Sequence, residues 1–159
     1  MKGFKNQMSK YKLIQLTNNN IGAIEANEFL PLGIVTRRLN APVNACSTFQ
    51  VASSTSDTIY LTEPGYYKVT YSATLTAGAA GLMSVTLVAN QNDIYTVSED
   101  ATAAEDIVNL TLPYVVRVCP NCCSTPANYP MSIQFRLGEI ATGITPQPST
   151  ANLIVERVG

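Results

Sequence analysis

The residues whose types and spacing could do chemistry are few, and they cluster. Cys119-Pro120-Asn121-Cys122-Cys123 offers a Cys-x-x-Cys pair with a third thiol beside it. A tetrahedral zinc needs four ligands, and the remaining cysteine, Cys46, lies far off in sequence. Cys119, Cys122 and Cys123 are therefore metal candidates only if further ligands gather, for example from three copies of the loop around an axis. The simpler expectation is structural thiols or a disulfide, with Cys46 one candidate partner for the loop. A thioredoxin-type redox pair lacks its context, because no helix is expected after it.

The carboxylates give a second cluster. Asp93, Glu99, Asp100, Glu105 and Asp106 are five of the eleven acidic residues and fall within fourteen positions. Oxygen-rich loops hold calcium, but this spacing fits no EF-hand, so a solvated acidic loop is expected. Glycoside hydrolysis needs two carboxylates facing each other across a cleft, and nothing pairs any two here. The chain has no histidine. That removes His-based triads, His general bases and most zinc enzymes, and leaves the many Ser and Thr hydroxyls without a base. Asn109-Leu110-Thr111 has the form of a glycosylation acceptor but falls inside an expected strand. The expectation is a protein that is not an enzyme, with no cofactor and no bound metal.

Composition bounds the rest. A chain of 159 residues is one domain plus, at most, a short arm. Apolar residues make up 46%, enough for a core, whereas only 13% are charged, against about 25% in an average domain. Such a neutral surface suits outer faces that are uncharged or buried in an oligomer. A net charge of −1 makes no case for nucleic acid. The first ten residues carry no apolar run of the secretory type, and no stretch approaches membrane-spanning length. Synthesis in the cytoplasm and no membrane contact are expected.

The elements that must position these residues are strands. After the turn at Pro64-Gly65, Tyr67, Val69, Tyr71, Ala73 and Leu75 alternate with Lys68, Thr70, Ser72, Thr74 and Thr76. Strand side chains point alternately to opposite faces, so this stretch has one core face and one polar face. The same period runs through Met83, Val85, Leu87 and Ala89, through Val108 to Val118, and through Met131, Ile133, Phe135 and Leu137. Pro113 implies a bulge, a break or an edge position in its strand. The apolar terminal run 151–158 is expected in the centre of a sheet. Residues 29–37 read as buried, and 98–105, 119–130 and 138–150 read as loops. Lys2, Lys5, Lys10 and Lys12 crowd the start, and Asn18-Asn19-Asn20 breaks a short apolar run. Residues 1–28 are therefore expected to be an arm, either solvated or ordered against an acidic surface, and 29–159 the domain. Eight to ten short antiparallel strands without a helix argue for an all-β sandwich or jelly roll.

The order of these motifs resembles the tumour necrosis factor and complement C1q globular-head superfamily. Pro64-Gly65-Tyr66-Tyr67-Lys68-Val69-Thr70-Tyr71 resembles its Pro-Gly-x-Tyr strand, and 85–92 its next strand with an Asn-containing hairpin. Val108-Asn109-Leu110-Thr111-Leu112 and the closing 152–159 complete the likeness. The resemblance implies a TNF/C1q-like antiparallel jelly-roll β-sandwich that assembles as a homotrimer, with Tyr66, Tyr95 and Tyr129 as candidate interface residues. No collagen-like Gly-X-Y stretch precedes the domain. A free head with a short basic arm is similar to bacteriophage head-fibre and capsid-decoration proteins. That implies a virion structural protein attached to a capsid partner through Lys2, Lys5, Lys10 and Lys12. The alternative is a receptor- or glycan-binding tip of a phage fibre or bacterial surface structure, with sites in the loops 98–105, 119–130 or 138–150.

Overall fold

A computed structural model describes residues 11–41, 47–119, 130–138 and 145–159. Ten strands run in order: β1 (Lys12–Asn18), β2 (Ile34–Leu39), β3 (Phe49–Val51), β4 (Ile59–Leu61), β5 (Gly65–Thr76), β6 (Gly81–Ala89), β7 (Asn92–Ala101), β8 (Ile107–Val118), β9 (Met131–Leu137) and β10 (Gln147–Arg157). They form two five-stranded antiparallel sheets, ordered β2-β1-β10-β5-β8 and β3-β4-β9-β6-β7. From β4 onward the chain crosses between sheets repeatedly, and only β6 and β7 are a hairpin within one sheet. Two antiparallel sheets laid face to face bury one side of each strand, which is what the period-two pattern requires. No helix among the described residues is long and apolar enough to cross a membrane.

β5 shows how sequence becomes packing. Tyr67, Val69, Tyr71, Ala73 and Leu75 are all buried, while Tyr66 and Lys68 are exposed. Gly65 opens the strand at a φ of 149° that side chains rarely adopt, and a Cβ there would collide with the Gly159 carbonyl. The Tyr71 ring stacks on Phe135 of the facing sheet at 3.9 Å, and Phe49 meets Tyr67 edge-on at 6.1 Å. Asn90 and Gln91, with φ of 48° and 66°, make the tight turn from β6 to β7. Asn90 Oδ1 also accepts the Ser132 N–H at 2.9 Å, fixing the hairpin to β9.

The Tyr71 hydroxyl is buried without a hydrogen-bond partner among the described residues. Tyr71→Phe removes a desolvated polar atom while keeping the ring stack. Stability is expected to stay level or rise by up to about 1 kcal/mol. Chemical denaturation checks this, and a loss larger than about 1 kcal/mol would reveal an ordered-water partner for the hydroxyl.

Several expectations change. β1 is no arm: it pairs with both β10 and β2, and its Ile14 and Leu16 are fully buried. The division at 28/29 thus cuts through the domain, and residues 27–30 themselves bond to β9. The run 29–37 is buried only to Gly33, because β2 is an edge strand. Residues 98–101 belong to β7 and 147–150 to β10, so the loops there are shorter than expected. Pro113 sits in β8 opposite Thr70 with no register shift, and β8 is an edge strand, so the missing N–H costs no ladder bond. β10 is the central strand of its sheet, as its apolar character required.

Candidate assembly surfaces

The sandwich has two open sides, each formed by one edge strand from each sheet. β2 and β3 border the first side, and β7 and β8 the second. Edge strands present unpaired backbone and normally carry protective charge. Here exposed apolar side chains stand beside those charges. On the first side Ile34, Val35 and Leu39 are 58%, 36% and 46% exposed. On the second side Ile94, Tyr95, Ile107 and Val115 are 39%, 43%, 70% and 55% exposed.

The second side holds Tyr95, one of the three interface tyrosines expected from sequence, and Tyr66 lies next to it on the outer sheet face. Tyr95 on β7 stacks on Tyr114 of β8 at 5.4 Å, closing the rim between the sheets. Tyr66, at the start of β5, is exposed on the outer face and lies 5.6 Å from the Arg117 guanidinium of β8. Both aromatic contacts thus rest on β8, three residues apart, or about 10 Å along a strand. Tyr129 lies outside the described residues. Tyr114, Ile107 and Val115 were not singled out from sequence, although the alternation of β8 leaves Ile107 and Val115 on its outward face.

Charge separates the two sides. On β2, Arg37 is exposed and has no partner among the described residues. Arg38 turns toward the core, where its guanidinium donates to the Ala41 carbonyl at 3.3 Å and to Ser47 Oγ at 3.4 Å. Burial lowers its pKa from the ordinary arginine value. β7 carries Asp93, Glu99 and Asp100, all exposed. Asp93 is neutralised by Arg136, which reaches across β6 in a two-pronged bond of 2.9 and 2.6 Å, while Glu99 and Asp100 are unpaired among the described residues. The first side is therefore apolar with the cation Arg37, the second apolar and aromatic with the anions Glu99 and Asp100 of β7 and the cation Arg117 of β8.

The remaining candidates do other work. Lys12, expected in the anchor, holds the fold: its Nζ donates to Glu63 Oε1 at 2.7 Å and to Thr48 Oγ1 at 2.9 Å. Arg157 approaches the same carboxylate at 3.8 Å. Lys2, Lys5 and Lys10 lie outside the described residues. Cys119 is disulfide-bonded, which removes its thiolate from any metal set; Cys46, Cys122 and Cys123 lie outside the described residues. Within the acidic cluster, Asp106 Oδ2 accepts from Thr102 N–H, Thr102 hydroxyl and Ala103 N–H at 2.8–3.0 Å, so it shapes the turn after β7. Among the described residues no three metal-ligating side chains converge.

The Glu63 cluster predicts a pH dependence. Burial works to raise the Glu63 pKa, but the bonds from Lys12 and Thr48 and the charges of Lys12 and Arg157 outweigh it and hold the carboxyl below its ordinary 4.5. A lowered folded-state pKa means the contribution is complete above the unfolded value and is lost as pH falls through the lowered one. Glu63→Gln should cost at most about 1 kcal/mol at pH 7, given partial solvent screening. The gap between variant and parent should close in melts run below pH 4.5. A gap that widens on acidification overturns this assignment.

These features define a class: an all-β jelly roll with the fold of the TNF/C1q type. Solved structures bear this out. The chain superposes on the globular domain of zebrafish complement 1qA protein with a TM-score of 0.63 at 9% identity, covering 92% of this chain and 96% of that one. Murine APRIL gives 0.64 at 8% identity, covering 93% and 99%. The PRD1 vertex protein P5 gives 0.56 at 14% identity, covering 93% and 97%. No protein-family model matches the sequence, and no curated protein matches it.

Proposed function

We propose that this chain is a non-enzymatic structural protein of a virion, working as a homotrimeric head-fibre or capsid-decoration protein. The observation that carries the assembly is the pair of unlike sides. Exposed apolar edge strands on a weakly charged chain favour burial against a neighbour. Because one side bears Arg37 and the other Glu99 and Asp100 alongside Arg117, the first side repels itself and finds opposite charge on the second. A two-fold contact would set like against like, whereas a head-to-tail contact joins the unlike sides and makes a ring where its rotation closes. The three-fold number and the virion setting are supported by the fold shared with C1q and with the vertex protein of phage PRD1. Attachment to the capsid is assigned to residues 1–10, which keep Lys2, Lys5 and Lys10 once Lys12 is placed in the sheet.

Size-exclusion chromatography with light scattering is expected to give three times the chain mass of 17.1 kDa. A stable monomer would end the trimeric reading. Removing residues 1–10 should leave the trimer intact and abolish stoichiometric binding to the parent capsid.

A further inference from the structure

Four edge strands bound the two sheets, and three of them are short or interrupted. β3 has three residues. β2 has six, its register against β1 shifts between Gln15 and Leu16, and it carries Arg37 and Arg38. β7 has ten, with a shift opposite Leu87 and Val88 and the carboxylates of Asp93, Glu99 and Asp100. Bulges and charges of this kind blunt an edge against pairing. β8 is different. It runs for twelve residues, pairs with β5 from Ile107 to Val118 without a shift, and has Arg117 as its one charged side chain. Its first half, Ile107-Val108-Asn109-Leu110-Thr111-Leu112, is uncharged and rich in strand formers, a composition that self-associates on an open edge. Pro113, exposed and opposite Thr70, interrupts it.

The backbone bonds at the two ends of β5 show which way Pro113 faces. Just past one end, the Ala77 N–H donates to the Asp106 carbonyl at 2.9 Å and the Glu105 N–H to the Ala77 carbonyl at 2.7 Å. Odd-numbered residues of β5 thus bond toward β8. At the other end, the Tyr66 N–H donates to the Gly159 carbonyl at 2.7 Å and the Val158 N–H to the Tyr66 carbonyl at 2.9 Å. Even-numbered residues thus bond toward β10. Backbone direction alternates along a strand, and the pairing with β8 has no shift, so Thr70 bonds toward β10. Pro113, opposite it, therefore turns its ring nitrogen and carbonyl to the open edge. Asn109, Thr111 and Val115 turn their N–H and C=O groups the same way.

We propose that Pro113 keeps β8 from pairing with β8 of a second copy, and so selects which contacts the free chain can make. An antiparallel β8–β8 pair would merge two sheets about a two-fold axis. Its bonds would come from the residues that face the open edge. In the two registers that overlap the strands most, Pro113 falls opposite its own copy or opposite the second copy's Thr111. Either way the centre of the ladder lacks two N–H donors, and the proline rings stand where those bonds would close. A contact made by side chains alone is left open. The inference does not rest on the ring, since it concerns the free chain before any neighbour covers the second side.

The test compares the full chain with Pro113→Thr, which supplies an N–H and a strand-forming side chain at an exposed position. Pro113→Ala adds the N–H alone and should act the same way. Each is refolded from urea, so that free chains meet, and followed by light scattering over a concentration series. Both variants are expected to form a two-chain species that the parent lacks. Hydrogen exchange in that species should slow about fivefold at Asn109, Thr111 and Val115, the value of one net hydrogen bond. Adding Thr111→Pro to Pro113→Thr returns a ring to the same edge and should remove the species. Thermal melts check that each chain keeps the fold. The inference is overturned if neither variant forms a two-chain species, if that species leaves exchange on β8 unchanged, or if it survives Thr111→Pro. A parent that runs as a monomer ends the trimeric reading alone, because the variants should still pair.

Discussion

Deleting residues 1–28 is expected to unfold the protein, although the sequence suggested a detachable arm. The deletion removes β1, which pairs with β10 over seven residues, from Lys12 opposite Arg157 to Asn18 opposite Ala151, and with β2 over five. Ile14 and Leu16, both fully buried, go with it, as does Ile24 at 8% exposure. Losing a buried aliphatic side chain costs about 2–5 kcal/mol. Two such losses alone approach the roughly 5–15 kcal/mol that holds a whole domain folded. The deletion also strands β2 without its neighbour and bares the edge of β10, an apolar strand with no protective charge at its centre. Circular dichroism melts should show no cooperative transition and gel filtration an aggregate. Removing only residues 1–10 should leave the melting temperature within a few degrees of the parent. A cooperative melt for the longer deletion near that of the full chain would overturn the placement of β1.

That strand shows where sequence stops being informative. In β5, and in β6 and β9, one face is core and the other polar, so alternation alone located them. Leu13, Ile14 and Leu16 in β1 are too short a run to separate from a frayed segment, and the triplet Asn18-Asn19-Asn20 marks an end equally well for an arm or a strand. Besides β2, the partners of β1 are the last strand of the chain and Glu63, 51 residues from Lys12. Nothing local in the sequence announces either. β7 was half missed for another reason. As an edge strand it exposes both faces over most of its length, so Ser98, Glu99 and Asp100 look like loop residues. The bulge in β10 hides in Pro148-Ser149-Thr150, whose composition is that of a turn. The unlike sides were invisible for the deepest reason: β2 and β7 lie more than fifty residues apart, and only the closed sandwich shows that Arg37 borders one side and Glu99 and Asp100 the other.

Arg37→Glu is expected to break the assembly, and adding Glu99→Arg and Asp100→Arg to the same chain is expected to restore it. In a head-to-tail ring every contact joins the first side of one protomer to the second side of the next, so one substitution alters all contacts at once. Close charge pairs across interfaces couple by about 1.5 kcal/mol or more, and setting like charges together costs several. Each contact should therefore weaken about 10- to 100-fold in the single variant, enough to shift light scattering from trimer toward monomer at micromolar concentration. Arg37 is exposed and unpaired among the described residues, so the monomer's own melting should not change. The triple variant carries the charges exchanged between the sides and recovers the complement. A two-fold contact through β2 behaves differently. It sets Arg37 near its own copy, and glutamate there merely replaces one repulsion with another, leaving the oligomer unchanged and the acidic edge irrelevant. Loss followed by recovery therefore supports the head-to-tail ring alone, and a trimer indifferent to Arg37→Glu would move the contact away from β2.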